Sequence, residues 1–139
     1  MPLAELENLV RLGALKREPP IADELDRFLA AARKSLEDSG VALVSLEGRF
    51  DHVYKAAHSA ALAALRWHGY RSEHRYTVFQ CLSHTLGWDP AEWRLLDRAH
   101  NMRNRSEYDA IFEPSEAMVA ELRNAVTKLV GDVARLIGA

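Results

Sequence analysis

The stretch "LEGRFDHVYKAAHSAALAALRWHG", residues 46–69, carries large and small apolar side chains three and four positions apart. This period is typical of a helix that buries one face, and the small residues in its middle permit close packing of other helices. Ser45 before the stretch is an N-cap residue, and Gly69 supplies a C-terminal stop. The apolar positions expected to be buried are Phe50, Tyr54, Ala57, Ala61 and Leu65.

The segments on either side have the same character, because few glycines and prolines interrupt long stretches with a helical period. "DPAE", residues 89–92, has the features of a helix start: Asp89 as cap, Pro90 at the first helical position and Glu92 to close a capping box. Besides residues 45–68, helices are predicted over residues 3–17, 21–38 and 77–86, from residue 90 and from residue 115.

The last of these helices shows a heptad seam, which is typical of near-antiparallel packing in a bundle. Its apolar positions are Val119, Leu122, Val126, Leu129, Val133 and Leu136. No alternating strand pattern and no internal repeat competes with this interpretation. We therefore expect an all-α, up-and-down bundle of about five to six helices that forms one domain over residues 1–139, with residues 1–18 as a short, peripheral N-terminal helix.

Composition restricts the partners of such a domain. The chain has 139 residues, 18 of them Lys or Arg and 20 Asp or Glu, so its net charge of −2 excludes a general polyanion binder. Any nucleic-acid surface must be a local patch. The single cysteine, Cys81, cannot form an intrachain disulfide, and no apolar run has the length of a signal peptide or a membrane span. A cytoplasmic protein without a cofactor is expected.

The segment "RAHNMRNRSEYD", residues 98–109, concentrates arginine, asparagine and histidine on the helix that begins at Pro90. On a helical wheel, the residues that face the core are Leu95, Leu96, Ala99 and Met102. The residues on the opposite, solvated side are Arg94, Arg98, Asn101 and Arg105. The residues at the rim between these faces are His100, Arg103 and Glu107, with Asp97, Asn104 and Tyr108 beside them. A rim of this composition is suited to an anion.

At these residues the chain resembles the HEPN superfamily (higher eukaryotes and prokaryotes nucleotide-binding domains). The resemblance covers nearly the whole chain, including "ENLVRLGALKREP", "RFDHVYKAAHSAALAALRWHGYR" and "HTLGWDPAEWRLLDRAHNMRNRSEYD". It is strongest to bacterial members with an LD, Arg-Asn and Tyr signature, here Leu96, Asp97, Arg103, Asn104 and Tyr108. The resemblance implies a homodimer, RNA or a nucleotide as ligand, and a nucleotidyltransferase-like partner in a toxin-antitoxin pair, because many family members are metal-independent ribonuclease toxins.

The catalytic HEPN pattern places a histidine four to six residues after the arginine, and here Tyr108 stands at that position relative to Arg103. Tyrosine, with a reference pKa of about 10, is a poor base at neutral pH, whereas histidine is suitable. His100, one turn before Arg103, is the candidate that could replace it. Arg94 and His100 form a second such frame, but Arg94 faces away from the rim. The catalytic candidates are therefore Arg103, His100 and Tyr108, and the candidates for phosphate or RNA binding are Arg103, Asn104, Arg98, Arg105, Arg71 and Arg75.

Arg71 and Arg75 belong to a second basic stretch, "RWHGYRSEHRY", residues 66–76. One interpretation is a surface for single-stranded nucleic acid, which would form one patch with Arg103 if the two segments are close. The interpretation that we favour is a loop whose tyrosines and Trp67 pack the end of the bundle while its arginines stay in water.

The competing hypothesis is a non-catalytic dimeric interaction module, in which Arg103 and Tyr108 order the dimer or dock a nucleotidyltransferase-like protein. In the simplest interpretation, Arg103 pairs with Asp97, Glu107 or a partner-chain carboxylate, while His100 and Tyr108 hydrogen-bond neighbouring groups. A DNA-binding helix-turn-helix is a distant alternative, because acidic Asp89 and Glu92 occupy the end that would meet DNA. No metal site is expected, because none of the six histidines forms a pair with helical metal-ligand spacing; they are His52, His58, His68, His74, His84 and His100. Cys81, Ser83 and His84 point apart on a helix and form no catalytic pair.

Overall fold

The computed structural model describes residues 3–109 and 113–138, and within the first range it describes side chains as far as Asn104. The predicted all-α bundle is confirmed. The elements in chain order are α1 (Ala4–Arg11), β1 (Lys16–Arg17), α2 (Glu24–Asp38), α3 (Leu46–Trp67), β2 (Tyr70–Arg71), α4 (Arg75–Gln80), α5 (Leu82–Thr85), α6 (Pro90–Asp109) and α7 (Glu116–Ile137).

Helix α3 lies at the centre of the bundle, in contact with α2 and α7 and, less extensively, with α4, α5 and α6. The N-cap prediction is confirmed, because the Gly48 amide donates a hydrogen bond of 3.0 Å to the Ser45 hydroxyl. Beyond the helix, Gly69 adopts a φ of +88°, a left-handed backbone conformation that favours glycine. All five side chains predicted to be buried on this helix are at most 2% exposed.

Helix α7 closes the bundle along its predicted seam. The Met118 amide donates to the Ser115 hydroxyl at 3.1 Å and caps the helix. The seam residues Val119, Leu122, Val126, Leu129 and Val133 are buried, and Leu136 is half-buried. Burial of apolar side chains such as these favours folding by roughly 25 cal/mol per Å² of apolar surface.

The N-terminal segment corrects two predictions. Helix α1 ends at Arg11 instead of continuing to residue 17, because Gly13 adopts a φ of +80° and turns the chain. Lys16 and Arg17 then pair in an antiparallel ladder with Arg71 and Tyr70, so a two-residue strand forms where no strand was predicted. The helix is short, as expected, and most of its residues are exposed or half-buried, but Leu6 is 0% exposed and anchors it in the core.

The predicted helix over residues 77–86 begins two residues earlier and is divided at Cys81 into α4 and α5. Helix α2 begins at Glu24 instead of Ile21, because Asp23 adopts a φ of +65° just before it. The start of α6 is as predicted, and the Asp89 amide donates a hydrogen bond of 3.1 Å to the Glu92 carboxylate. Within residues 3–109 and 113–138, no helix combines the length and the apolar character that crossing a bilayer requires.

Candidate functional site

Three helices meet around the hydroxyl group of Tyr54, a side chain of α3 that is 1% exposed. Helix α4 contributes the first residue of the helix, Arg75, and α6 contributes the rim residues predicted from the sequence. We call this group of polar side chains the Tyr54 cluster; its members are Asp51, Tyr54, His58, Arg75, His100, Arg103 and Asn104.

Both ring nitrogens of His100 have partners within the Tyr54 cluster. Nδ1 lies 2.9 Å from the Tyr54 hydroxyl oxygen, and Nε2 lies 3.2 Å from the side-chain amide nitrogen of Asn104. Since an amide nitrogen only donates, Nε2 accepts, and the proton of the neutral ring is on Nδ1 and is donated to Tyr54. Burial lowers the pKa of His100, with a further lowering by Arg75, so the imidazole is neutral at pH 7.

The Tyr54 hydroxyl oxygen also accepts a hydrogen bond of 2.5 Å from the guanidinium group of Arg75. The guanidinium carbons of Arg75 and Arg103 lie 5.3 and 5.4 Å from the centre of the Tyr54 ring, within the range of cation–π attraction. Burial raises the pKa of Tyr54, so the hydroxyl keeps its proton at neutral pH. Tyr54 therefore holds two arginines and one histidine in a fixed arrangement.

The two guanidinium groups of the Tyr54 cluster differ in their counter-charges. Arg103 forms an ion pair with Asp51 at 3.2 Å, a carboxylate one turn before Tyr54 that the sequence analysis did not name as its partner. Arg75 is half-buried and forms no ion pair with a carboxylate among the residues whose side chains are described. Asp97 acts on the cluster at longer range, where it raises the pKa values of His100 and Tyr54. Of these two arginines, Arg75 is thus the one without a direct counter-charge among the described side chains.

A groove of about 530 Å³ opens beside Arg75 between α2, α3 and the segment that follows β2. His58, which lies one turn after Tyr54 on α3, lines it together with apolar Phe28 and Leu62. Burial lowers the pKa of His58 to about 4, with smaller contributions from Arg75 and His100, so its imidazole is neutral at pH 7. The groove gives the Tyr54 cluster access to solvent on the side of Arg75.

The remaining predicted site residues lie elsewhere or outside the described side chains. Arg98 is exposed on the outward face of α6, as the wheel predicts. Arg71 lines the groove but pairs with Glu18 at 3.2 Å. Of the rim and solvated residues, Arg105, Glu107 and Tyr108 lie outside the described side chains. The structure therefore brings together His100, Arg103, Asn104 and Arg75, and it separates Arg98 from them.

Arg66 overturns the expectation that the arginines of residues 66–76 stay in water, because it is 4% exposed. Its guanidinium group donates to the Glu24 carboxylate at 2.5 and 3.3 Å. It also donates to the backbone carbonyls of Glu18, Pro19 and Tyr70 at 2.6, 3.1 and 3.3 Å. We call these groups the Arg66 site. It ties the end of α3 to the start of α2 and to β2, and the hydrogen bond from Arg66 lowers the pKa of Glu24.

The aromatic residues of the same stretch divide differently from the expectation. Tyr70 is buried, as expected, at 2% exposure, whereas Trp67 and Tyr76 are 42% and 48% exposed. Trp67 packs edge-on against the ring of its neighbour His68, and Tyr76 packs in the same way against Trp93 of α6. Tyr76 therefore faces solvent close to the candidate site.

The other chemical candidates show no catalytic arrangement. Burial raises the pKa of the Cys81 thiol to about 12, so it is no nucleophile at neutral pH. In the described part of the chain, no three His, Cys, Asp or Glu side chains converge in a way that could hold a metal ion.

Sequence reasoning assigned Tyr54 to the core and did not single out Asp51 or His58. The signal for these residues is their spacing, since positions 51, 54 and 58 follow one another by three and four along a helix whose buried positions are, apart from Tyr54 and Arg66, all apolar. Polar groups on such a face need partners, and those partners come from α4 and α6.

No family model matches this chain, and no curated protein or solved structure matches it either. The functional conclusions below are therefore based on the side chains of the Tyr54 cluster and on the resemblance of the sequence.

Proposed function

We propose that this chain is a HEPN-like RNA-binding protein whose Tyr54 cluster recognises a phosphate group. The observation that carries the proposal is the guanidinium group of Arg75, a half-buried residue. It donates to the Tyr54 hydroxyl at 2.5 Å and has no direct carboxylate partner among the described side chains. A cation that is partly removed from water without a counter-ion is costly, and an anionic ligand removes that cost. A guanidinium group also matches the geometry of a phosphate.

The neighbouring groups fit this role. Arg103, 27% exposed, can share its guanidinium group between Asp51 and a phosphate oxygen, because it carries five donors. Neutral His100 and protonated Tyr54 add no negative charge that would repel a phosphate. Asn104 keeps the His100 ring in one tautomer. The cluster thus offers two cations on a rigid support. Among the described side chains, the carboxylate of Asp51 contacts Arg103 directly, and Glu24 and Glu73 line the adjoining groove.

The test is the affinity of the purified protein for a fluorescein-labelled ten-nucleotide single-stranded RNA, measured by fluorescence anisotropy. The variant Arg75→Gln is expected to bind about tenfold more weakly, the loss that one charge-assisted phosphate contact causes. Arg27→Gln is the matched control, because Arg27 is an exposed arginine on α2 that does not line the groove. Equal affinities of Arg75→Gln and the wild-type protein would refute the proposal.

The neutral state of His100 favours a second candidate, metal-independent RNA cleavage. In this reaction a base removes the proton of the ribose 2'-hydroxyl, whose oxygen attacks phosphorus. The bond to the 5'-oxygen breaks, and that oxygen leaves with a proton, so that a 2',3'-cyclic phosphate remains. An imidazole that is neutral at pH 7 can act as the base. Because both ring nitrogens of His100 have hydrogen-bond partners, one of these hydrogen bonds must break before the ring can take up the proton. The test is cleavage of an RNA pool in EDTA. This candidate is established if the wild-type protein cleaves the RNA and both His100→Ala and Arg103→Ala abolish the cleavage.

The Arg103–Asp51 ion pair favours a third candidate, a non-catalytic dimeric module, because Arg103 already has a counter-charge within its own chain. The resemblance adds a homodimer and a nucleotidyltransferase-like partner. Light scattering gives the mass of the particle, and co-purification with the product of an adjacent reading frame tests the partner. If RNA binding is absent and a stable complex with such a partner forms, this candidate replaces the first.

A further inference from the structure

A second surface with the chemistry of a nucleic-acid contact lies on the outer face of α4 and α6. Tyr76 is 48% exposed, and its ring meets the ring of Trp93 edge-on, with centres 5.8 Å apart and planes at 81°. A cavity of about 400 Å³ opens beside the two rings. We call this surface the Tyr76 platform; it consists of Tyr76, Trp93, Arg94 and Arg98.

The rings of the platform are held in place by packing. Trp93 is 4% exposed and belongs to the core, so the edge-on contact fixes the orientation of Tyr76. The guanidinium group of Arg94 lies over the ring of Trp93, with the guanidinium carbon 5.3 Å from the ring centre. An exposed tyrosine with a fixed ring presents one flat face to solvent at little further cost in conformational entropy.

The charges of the platform favour an anionic strand. Arg94 and Arg98 are one turn apart on the exposed side of α6. Across the described part of the chain, no carboxylate forms an ion pair with either of them. Asp97 also lines the cavity, so phosphates are expected on the side of the two arginines and not beside that carboxylate. Two cations beside an aromatic face are the combination that binds single-stranded nucleic acid.

We infer that the Tyr76 platform binds a single strand of RNA, with one base stacked on Tyr76 and the backbone along Arg94 and Arg98. This inference depends on the proposed function and names its substrate form. Tyr76 follows Arg75 directly in sequence, and α4 packs on α6, so the platform adjoins the Tyr54 cluster. One strand can therefore reach both. A duplex cannot, because its bases are already stacked and have no free face for Tyr76.

The first experiment replaces the aromatic ring. Tyr76→Leu is expected to bind the labelled ten-nucleotide RNA about tenfold more weakly, and Tyr76→Phe is expected to keep the wild-type affinity, because stacking requires only the ring. Trp67→Leu is the matched control, an exposed aromatic residue at the end of α3 that does not line the cavity, and it is expected to bind normally. Circular dichroism is the check that all three variants are folded.

A spectroscopic signal reports the stacking itself. Each position of the RNA is replaced in turn by 2-aminopurine, whose fluorescence falls when it stacks on an aromatic ring. The wild-type protein is expected to quench one position, and Tyr76→Leu is expected to lose that quenching. The double variant Arg94→Gln/Arg98→Gln is expected to bind RNA more weakly and with a smaller salt dependence than the wild-type protein. The control is Arg27→Gln/Arg33→Gln, which changes two exposed arginines on α2.

The two proposals fail in different ways. If Arg75→Gln weakens binding while Tyr76→Leu has no effect on affinity or quenching, the phosphate site stands and the platform is overturned. If Tyr76→Leu weakens binding while Arg75→Gln does not, the platform stands and the phosphate site is overturned. Equal affinity of the wild-type protein for single-stranded and duplex RNA also overturns the inference. The same holds if the platform binds a protein segment and RNA does not bind to it.

Discussion

Arg66 and Arg75 lie nine positions apart in one basic stretch, yet their surroundings are opposite in character. The guanidinium group of Arg66 donates to both oxygens of Glu24 and to three backbone carbonyls, so its donors and its charge are satisfied within the chain. Arg75 is half-buried, and its hydrogen bond goes to a neutral hydroxyl group. A satisfied buried arginine stabilises the fold, whereas an incompletely neutralised arginine at a groove is available to a ligand.

The largest effect is expected from removing Arg66. Arg66→Ala leaves the Glu24 carboxylate, 14% exposed, and three carbonyl groups without their donor, which costs about 3–5 kcal/mol of unfolding free energy. Urea denaturation of this variant and of Arg75→Gln measures the contrast, because the second is expected to change stability by less than about 1 kcal/mol. If the two variants lose equal stability, the distinction between the Arg66 site and the Tyr54 cluster is wrong.

A smaller effect is expected from acid, through His58. Its pKa is about 4 in the folded chain and about 6.5 when unfolded, so the unfolded state binds a proton first as the pH falls. The contribution of His58 to the free energy of unfolding is therefore fully present above pH 6.5. It is lost as the pH falls from 6.5 to 4, and the loss is at most about 3 kcal/mol. The opposing positive charge comes from Arg75, and the neighbouring imidazole is that of His100.

Urea titrations at pH 7.5 and pH 5 check this dependence. His58→Leu is expected to lose less stability over this range than the wild-type chain does, since the titrating group is absent. Glu24 does not contribute in this window, because its lowered folded pKa places its loss of stabilisation below pH 4.5. A pH dependence that is identical in the two proteins would show that another group titrates.

The hydroxyl group of Tyr54 is expected to contribute about 1 kcal/mol. Tyr54→Phe keeps the packed ring and removes the acceptor shared by Arg75 and His100, so a modest loss in urea denaturation follows. The same change releases Arg75 from its fixed position, and weaker binding of single-stranded RNA is expected. A variant with wild-type affinity would show that the ligand does not require the arrangement that Tyr54 imposes.

The smallest effect is expected from Arg71→Ala. Its ion pair with Glu18 joins two side chains that are 54% and 46% exposed, and exposed pairs contribute about 0–1 kcal/mol. Chemical denaturation is expected to place this variant within about 0.5 kcal/mol of the wild-type chain. A loss as large as that of Arg66→Ala would mean that the position of an arginine in this stretch, and not its burial, determines its contribution.

The sequence predicted most of the fold because local signals agree with packing in α3 and α7. The Ser45 cap and the apolar spacing of both helices are reproduced in the structure. Two of the errors occur where a single residue with positive φ decides the path. Gly13 ends α1 early, and Asp23 delays α2, and neither effect is visible in a hydrophobic period.

The candidate site was only partly predictable, because a helical wheel describes one helix at a time. It placed His100 and Arg103 correctly at the rim of α6, since both are half-buried. It could not show that Arg103 pairs with Asp51 of another helix, or that Tyr54 joins the arginines of α4 and α6. Such contacts lie 21 to 52 residues apart in sequence and depend on tertiary packing.

The most direct test of the contrast between Arg66 and Arg75 is the salt dependence of single-stranded RNA binding by the wild-type protein and by Arg75→Gln. Each phosphate contact of a single strand contributes a slope of about −0.7 to the logarithm of affinity against the logarithm of salt concentration. Arg75→Gln is expected to bind more weakly at low salt and to reduce the slope by about this amount. An unchanged slope, with unchanged affinity, would contradict the assignment of Arg75 to a phosphate.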